Sequence, residues 1–167
     1  MANEVELYCE FLTISSFLNE ELGIVPVLYG SLGLTKVAQV DFSPQDIDIL
    51  VPLVFLQGKW GGLKQAMKKQ GYLLIDLEEH EFQKEDIKIG FAFTEDLKRF
   101  AEVDYKKLEV FEEAGAKYCQ LSLADYLKVY NQSAQDGYRR TKNDHKDLKK
   151  LKILNKLVDS LSQENHF

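Results

Sequence analysis

The chain is poor in the residues that build metal centres and covalent staples. It has two cysteines, Cys9 and Cys119, and three histidines in 167 residues. The cysteines form no Cys-x-x-Cys cluster and sit within apolar patterns, which predicts free, buried thiols. His80, His145 and His166 lack the spacing of a zinc site. No Ser-His-Asp or Cys-His arrangement follows from the spacing either. A Gly-x-x-x-x-Gly-Lys-Ser/Thr loop is missing, which argues against a P-loop NTPase. No run is long and apolar enough to span a bilayer. Residues 1–6 lack the basic start and apolar run of a signal peptide. These absences predict a cytoplasmic protein without a membrane partner. There is no internal repeat and no low-complexity linker.

What is present is ordinary for a globular chain: 45% hydrophobic and 29% charged residues. The net charge of −6 disfavours nucleic acid as a partner of the whole surface. The charge is uneven, however. Residues 139–156 hold eight Lys/Arg against Asp144 and Asp147, so this segment is +6 and the remainder −12. A basic patch on an acidic body suits a small phosphate-bearing ligand; a solvated basic helix face is the plainer alternative.

The length fits one domain, read as a core over 1–121 and a helical extension over 122–167 packed on it. Leu7, Phe11, Ile14, Leu18 and Leu22 recur at helical spacing, which predicts a helix over 3–22, stopped at Gly23. A short strand follows at 25–29, a brief helix at 31–37 and a loop at 40–45. A second strand at 46–51 ends at Pro52. Trp60, Leu63, Ala66 and Met67 mark a helix that stops at Gly71. Strands are expected at 72–77 and 87–93, with the polar stretch 78–86 as their turn. Short strands are expected around 103–105 and 118–121. Ser122-x-x-Asp125 opens a helix, and Thr141-x-x-Asp144 opens the last one, whose apolar side carries Leu148, Leu151, Leu154, Leu157 and Leu161. The order predicts an α/β (α+β) fold: a small mixed β-sheet flanked by helices, with a C-terminal helical part.

Two fragments carry the chemistry. Val27-Leu28-Tyr29-Gly30-Ser31 is an apolar run ending in Gly-Ser. Asp46-Ile47-Asp48-Ile49-Leu50-Val51 sets two carboxylates two residues apart in a β-branched run. A strand has a side-chain period of two, so Asp46 and Asp48 leave one face while Ile47 and Ile49 enter a core. Burying Asp among Ile and Val is costly unless the charge is paired or ligated. Hard oxygen ligands on one face suggest Mg²⁺ carrying a nucleotide phosphate. The plain alternative is a turn residue followed by a paired core Asp.

In these two fragments the chain resembles the nucleotidyltransferase superfamily, which includes polymerase-β-like enzymes and small antibiotic nucleotidyltransferases. That pattern is a strand ending in Gly-Gly or Gly-Ser, a short helix, and a strand with Asp-x-Asp. The segment Leu121-Ser122-Leu123-Ala124-Asp125-Tyr126-Leu127 and the later Arg139-Arg140-Thr141-Lys142 run are similar to the C-terminal part of small bacterial members. The resemblance implies transfer of a nucleoside monophosphate from an NTP to a small hydroxyl-bearing acceptor. Two Mg²⁺ ions would hold the attacking and leaving oxygens. It implies that Asp46 and Asp48 bind metal and that Gly30 and Ser31 meet the phosphates. Arg139, Arg140 or Lys142 would neutralise the triphosphate. Members usually carry a third carboxylate on a neighbouring strand. Asp86 is the best-placed candidate, with Glu85 and Glu81 as rivals. The competing expectation is a non-catalytic nucleotide-binding module of the same fold, or an antitoxin-like protein with a protein partner.

Overall fold

A computed structural model of the chain describes residues 2–135 and 146–164. The sheet is organised by the alternation in β2 (Ile47–Val51), where Ile47, Ile49 and Val51 are buried on one face while Asp48 and Leu50 leave the other. β1 (Val27–Tyr29) lies antiparallel to β2, and β5 (Ile87–Phe93) lies parallel to it. β4 (Glu81–Lys84) and β3 (Leu73–Asp76) continue the sheet beyond β5 as an antiparallel meander. On the other side, β7 (Ala116–Gln120) runs parallel to β1, and β6 (Glu109–Glu113) pairs antiparallel with β7. The result is a seven-stranded mixed sheet in the order β3-β4-β5-β2-β1-β7-β6, so the mixed α/β architecture expected from the sequence is the one observed.

Helices α1 (Glu4–Leu22) and α3 (Trp60–Lys69) cover one face. There Leu7, Phe11, Ile14, Leu18, Leu63 and Met67 join the same buried cluster as Leu28, Ile47, Ile49 and Ile89. The Asn3 side chain caps α1 by accepting from the Glu6 N–H at 2.9 Å, and Gly23 closes the helix in the left-handed conformation. The opposite face is covered only in part. Here α4 (Asp96–Ala101), α5 (Leu123–Gln135) and α6 (Lys146–Glu164) bring Leu97, Tyr126, Val129 and Leu154 onto Val27 and Leu50. The strands β4 and β5 and the Asp48 end of β2 are left open on this side, and the opening becomes a cleft. Among the described residues, no helix is long and apolar enough to cross a membrane.

The structure corrects several sequence expectations. The stretch 78–86 is not one turn, because Glu81–Lys84 is a strand of its own. Phe82 is its single fully buried residue, and four residues with one apolar side chain show no legible alternation. Residues 103–105 form no strand. Val103 instead closes α4 through its N–H to the Leu97 carbonyl at 3.1 Å, and Asp104 caps a short 3₁₀ turn at Tyr105–Lys107. Cys9 is exposed and Cys119 half-buried, so the thiols are free but not fully buried. Cys9 falls off the Leu7-Phe11-Ile14-Leu18 stripe of α1. The expected cap at Thr141-x-x-Asp144 lies outside the described residues.

Candidate functional site

The junction of β1 and α2 (Gly30–Ala38) sets the geometry of the cleft. Tyr29 is extended and pairs with Asp48 across the two strands. Gly30 then takes φ +65° and the chain turns into the helix over the Asp48 side chain. A Cβ at Gly30 would overlap the Asp48 carboxylate, with the carboxyl carbon 2.9 Å away. Both the positive φ and the contact therefore require glycine. No side chain caps α2, so the first N–H groups of the helix point outward and can receive an anion. The junction is pinned from below. The Gln120 amide donates to the Gly33 carbonyl at 3.0 Å, and the buried Tyr126 hydroxyl donates to the Leu28 carbonyl at 3.3 Å.

Asp48 sits at the foot of this junction. Its carboxylate is exposed to the cleft, yet protein atoms crowd it closely on the remaining sides. This partial burial pushes its carboxyl up to about 6. The neighbouring charges of Asp46 and Glu81 raise it further, and Lys150 opposes them. A carboxylate crowded this way beside two other acids is poised to bind a proton or a cation.

Strand register places a second acid beside it. Asp48 pairs with Gly90 on β5, and Gly90 pairs with Glu81 on β4. Paired residues on neighbouring strands share a face, so Glu81 and Asp48 both look into the cleft across a residue with no side chain. A Cβ at Gly90 would lie 3.5 Å from Asp48 Oδ1 and 3.8 Å from Glu81 Cγ. Adjacent strands are roughly 4.8 Å apart, so the backbones of the two acids stand about 10 Å apart.

The cleft has a volume of about 820 Å³. Its other wall comes from α5 and α6, where Tyr130, Lys149 and Lys150 line it. Lys150 Nζ donates to Ser31 Oγ at 2.8 Å and lies 5.5 Å from the centre of the Tyr130 ring. The last helix therefore delivers a cation to the end of α2 that also carries the open N–H groups.

The structure brings together Gly30, Ser31, Asp46 and Asp48, all of which line the cleft. Asp86 does not join them. It lies exposed in the turn between β4 and β5, four residues from Gly90, or about 13 Å along an extended strand. Hydrogen bonding holds its carboxyl below the usual range. The third acid in the cleft row is Glu81, because the turn is tighter than the polar stretch suggested. Arg139, Arg140 and Lys142 lie outside the described residues. The sequence reading missed Lys150. The +6 segment signalled a cation near phosphate, but only the phase of α6 and its crossing onto Ser31, 119 residues away, select which one.

Among the described residues, no three His, Cys, Asp or Glu side chains are gathered as a ready-made metal cage. The donor set of Asp46 and Asp48 fits Mg²⁺ brought in with a nucleotide. Such an ion takes one or two carboxylates and fills its remaining positions with phosphate oxygens and water.

Fold and cleft together define a mixed α/β protein with an acidic cleft at a strand-to-helix junction, closed by a lysine from its last helix. No family model matches the chain. It is 56% identical over 154 residues to "Uncharacterized protein YnaI" of Bacillus subtilis (strain 168), over 92% of this chain and 99% of that one, and it belongs to the family of that protein. It also superposes with a TM-score of 0.48 on the solution structure of the antibiotic-resistance factor ANT(2'')-Ia, at 14% identity over 95% of this chain and 98% of that one.

Proposed function

We propose that this protein is a Mg²⁺-dependent nucleotidyltransferase that moves a nucleoside monophosphate from an NTP to a small hydroxyl-bearing acceptor. The observation that carries the reading is the turn of Gly30 over Asp48. It sets an uncapped helix N-terminus, a serine hydroxyl, a lysine and a carboxylate around one point. Few ligands other than a metal-bound polyphosphate use all four groups together.

In this reading the α2 N–H groups and Ser31 Oγ bind phosphate oxygens, and Lys150 moves from Ser31 onto the triphosphate. Asp46 and Asp48 would hold Mg²⁺, which when bound supplies positive charge against the phosphates and fixes their orientation. The acceptor hydroxyl attacks the α-phosphorus in line and the bond to the bridging oxygen breaks, so that pyrophosphate leaves. Glu81 stands across Gly90 from Asp48 and accepts the hydroxyl proton.

A second reading is a non-catalytic nucleotide-binding module of the same fold. It is favoured by the lack, among the described residues, of three converging metal-binding side chains. Incubation with each NTP, Mg²⁺ and a panel of hydroxyl-bearing small molecules separates the two. Acceptor-dependent pyrophosphate release, lost in Asp48→Asn, is the outcome expected of the enzyme. Nucleotide binding without pyrophosphate or adduct under any acceptor supports the module instead.

A further inference from the structure

The turn between β3 and β4 is built around a residue in an uncommon conformation. His80 takes φ +52°, in the left-handed region that is costly for a residue with a Cβ. Its N–H donates to the Leu77 carbonyl at 3.4 Å and closes the turn. Its carbonyl accepts from the Phe91 N–H at 3.1 Å, one step beyond the Glu81–Gly90 pair. The pairing of β4 with β5 is thereby carried back into the turn.

The side chain of His80 supplies a reason for this conformation. Its ring meets Trp60, the first residue of α3, edge-on with the ring centres 4.9 Å apart. Trp60 also packs on Phe82 at 5.8 Å, and Phe82 meets Phe91 edge-on at 5.7 Å. Phe82 and Phe91 belong to the buried cluster beneath α1 and α3, and Trp60 packs against it. Glu79 and Glu81 flank His80 in the chain and line the cleft on the opposite face. Neighbouring residues of an extended chain leave opposite faces. Anchoring His80 on the α3 face therefore turns its two acidic neighbours toward the cleft.

We propose that Trp60 and His80 are positioning residues: their ring contact holds the β3–β4 turn in the form that sets Glu79 and Glu81 into the cleft. The chemical consequence rests on the transferase reading, in which Glu81 accepts the hydroxyl proton. The groups assigned there to nucleotide and metal stand on α2, β2, α6 and the segment before β2, away from this turn. Loss of the ring contact therefore lowers turnover and leaves nucleotide affinity in place.

Three variants of the full chain test this. His80→Gly adopts the left-handed backbone more readily than histidine but has no ring to hold it there. Trp60→Leu removes the other ring, and His80→Phe restores a ring at position 80. Trp60 is the chain's only tryptophan, so its fluorescence reports the contact and should change in His80→Gly. Amide exchange followed by NMR reports the turn. The Phe91 N–H should exchange at least about tenfold faster in His80→Gly and Trp60→Leu, while the amides of α1 keep their protection. Acceptor-dependent pyrophosphate release should fall at least about tenfold in kcat in the same two variants. Nucleotide affinity should stay within about twofold, and His80→Phe should recover most of the rate. Unchanged Trp60 emission in His80→Gly, or unchanged Phe91 exchange in both variants, overturns the inference without reference to turnover. So does a wild-type kcat in a His80→Gly chain whose Phe91 amide has lost its protection. A wild type that releases no pyrophosphate with any acceptor contradicts the transferase reading instead, and fluorescence and exchange then decide the inference.

Discussion

Glu81 stands across Gly90 from Asp48, in one row of the sheet, and the missing side chain of Gly90 keeps the gap between the two acids open. Gly90→Ala places its Cβ at ordinary contact distance from both neighbours and is expected to fold with stability changed by no more than about 0.5 kcal/mol. Gly90→Leu fills the gap. Its expected result is a folded protein whose Mg²⁺-dependent nucleotide affinity falls at least about tenfold, read by calorimetry. Undiminished affinity in Gly90→Leu would place the nucleotide elsewhere.

Gly30 and Gly23 share φ +65°, but only Gly30 is crowded, while Gly23 has nothing within 4 Å. The left-handed conformation alone costs about 1–2 kcal/mol for a residue with a Cβ. Gly23→Ala should lower the thermal midpoint by about 2–6 °C on that basis. Gly30→Ala must also displace Asp48, and a drop of about 5–10 °C or more is expected. Equal losses in the two variants would deny the contact between Gly30 and Asp48.

The Asp48 carboxyl is raised to about 6 in the folded protein, from an ordinary value of 3.8. The folded state therefore holds a proton that the unfolded state has released between these two values. By linkage, this group makes stability fall as pH rises from about 4 to about 6. Solvent reaches the carboxylate from the cleft, so the effect is at most about 1 kcal/mol. Asp48→Asn should remove that slope and raise the thermal midpoint at neutral pH by about 2–4 °C, while abolishing metal-dependent binding. Thermal denaturation of both proteins over pH 4–8 checks the sign, and a less stable Asp48→Asn at neutral pH contradicts it.

Lys150 donates to Ser31 in the protein alone and, in the proposed complex, would move onto the triphosphate. Lys150→Met is expected to weaken nucleotide binding by about tenfold or more and to flatten its salt dependence, as loss of one phosphate contact does. Ser31→Ala should cost less, and the double variant should cost less than the sum of the singles, because the two groups act on one ligand. Additive effects would mean that they do not share it.

Much of the candidate cleft was legible because it is local. Gly30-Ser31 and Asp46-x-Asp48 each lie within a few residues of chain, and strand period alone puts Ile47 and Ile49 in the core with Asp48 on the opposite face. The same holds for α1, whose stripe and caps are written in neighbouring residues. What failed was non-local. Glu81 enters the cleft row only through the pairing of β4 with β5, and β4 hides in a charged run with Phe82 as its one fully buried residue. Lys150 reaches Ser31 only through the packing of α6 against α5, which no window of sequence contains. The exposure of Leu73, Leu74 and Ile75 is likewise invisible in the sequence, where they read only as part of a strand.

The central claim is that Asp46 and Asp48, beneath the β1–α2 turn, form a metal-dependent nucleotide site. Its most direct test is calorimetric titration of ATP and the other NTPs, with and without Mg²⁺, into the wild type and an Asp46→Asn/Asp48→Asn variant. The account predicts saturable binding that requires Mg²⁺ in the wild type and is lost in a variant that remains folded. Nucleotide binding indifferent to Mg²⁺, or equally strong in the variant, would contradict it.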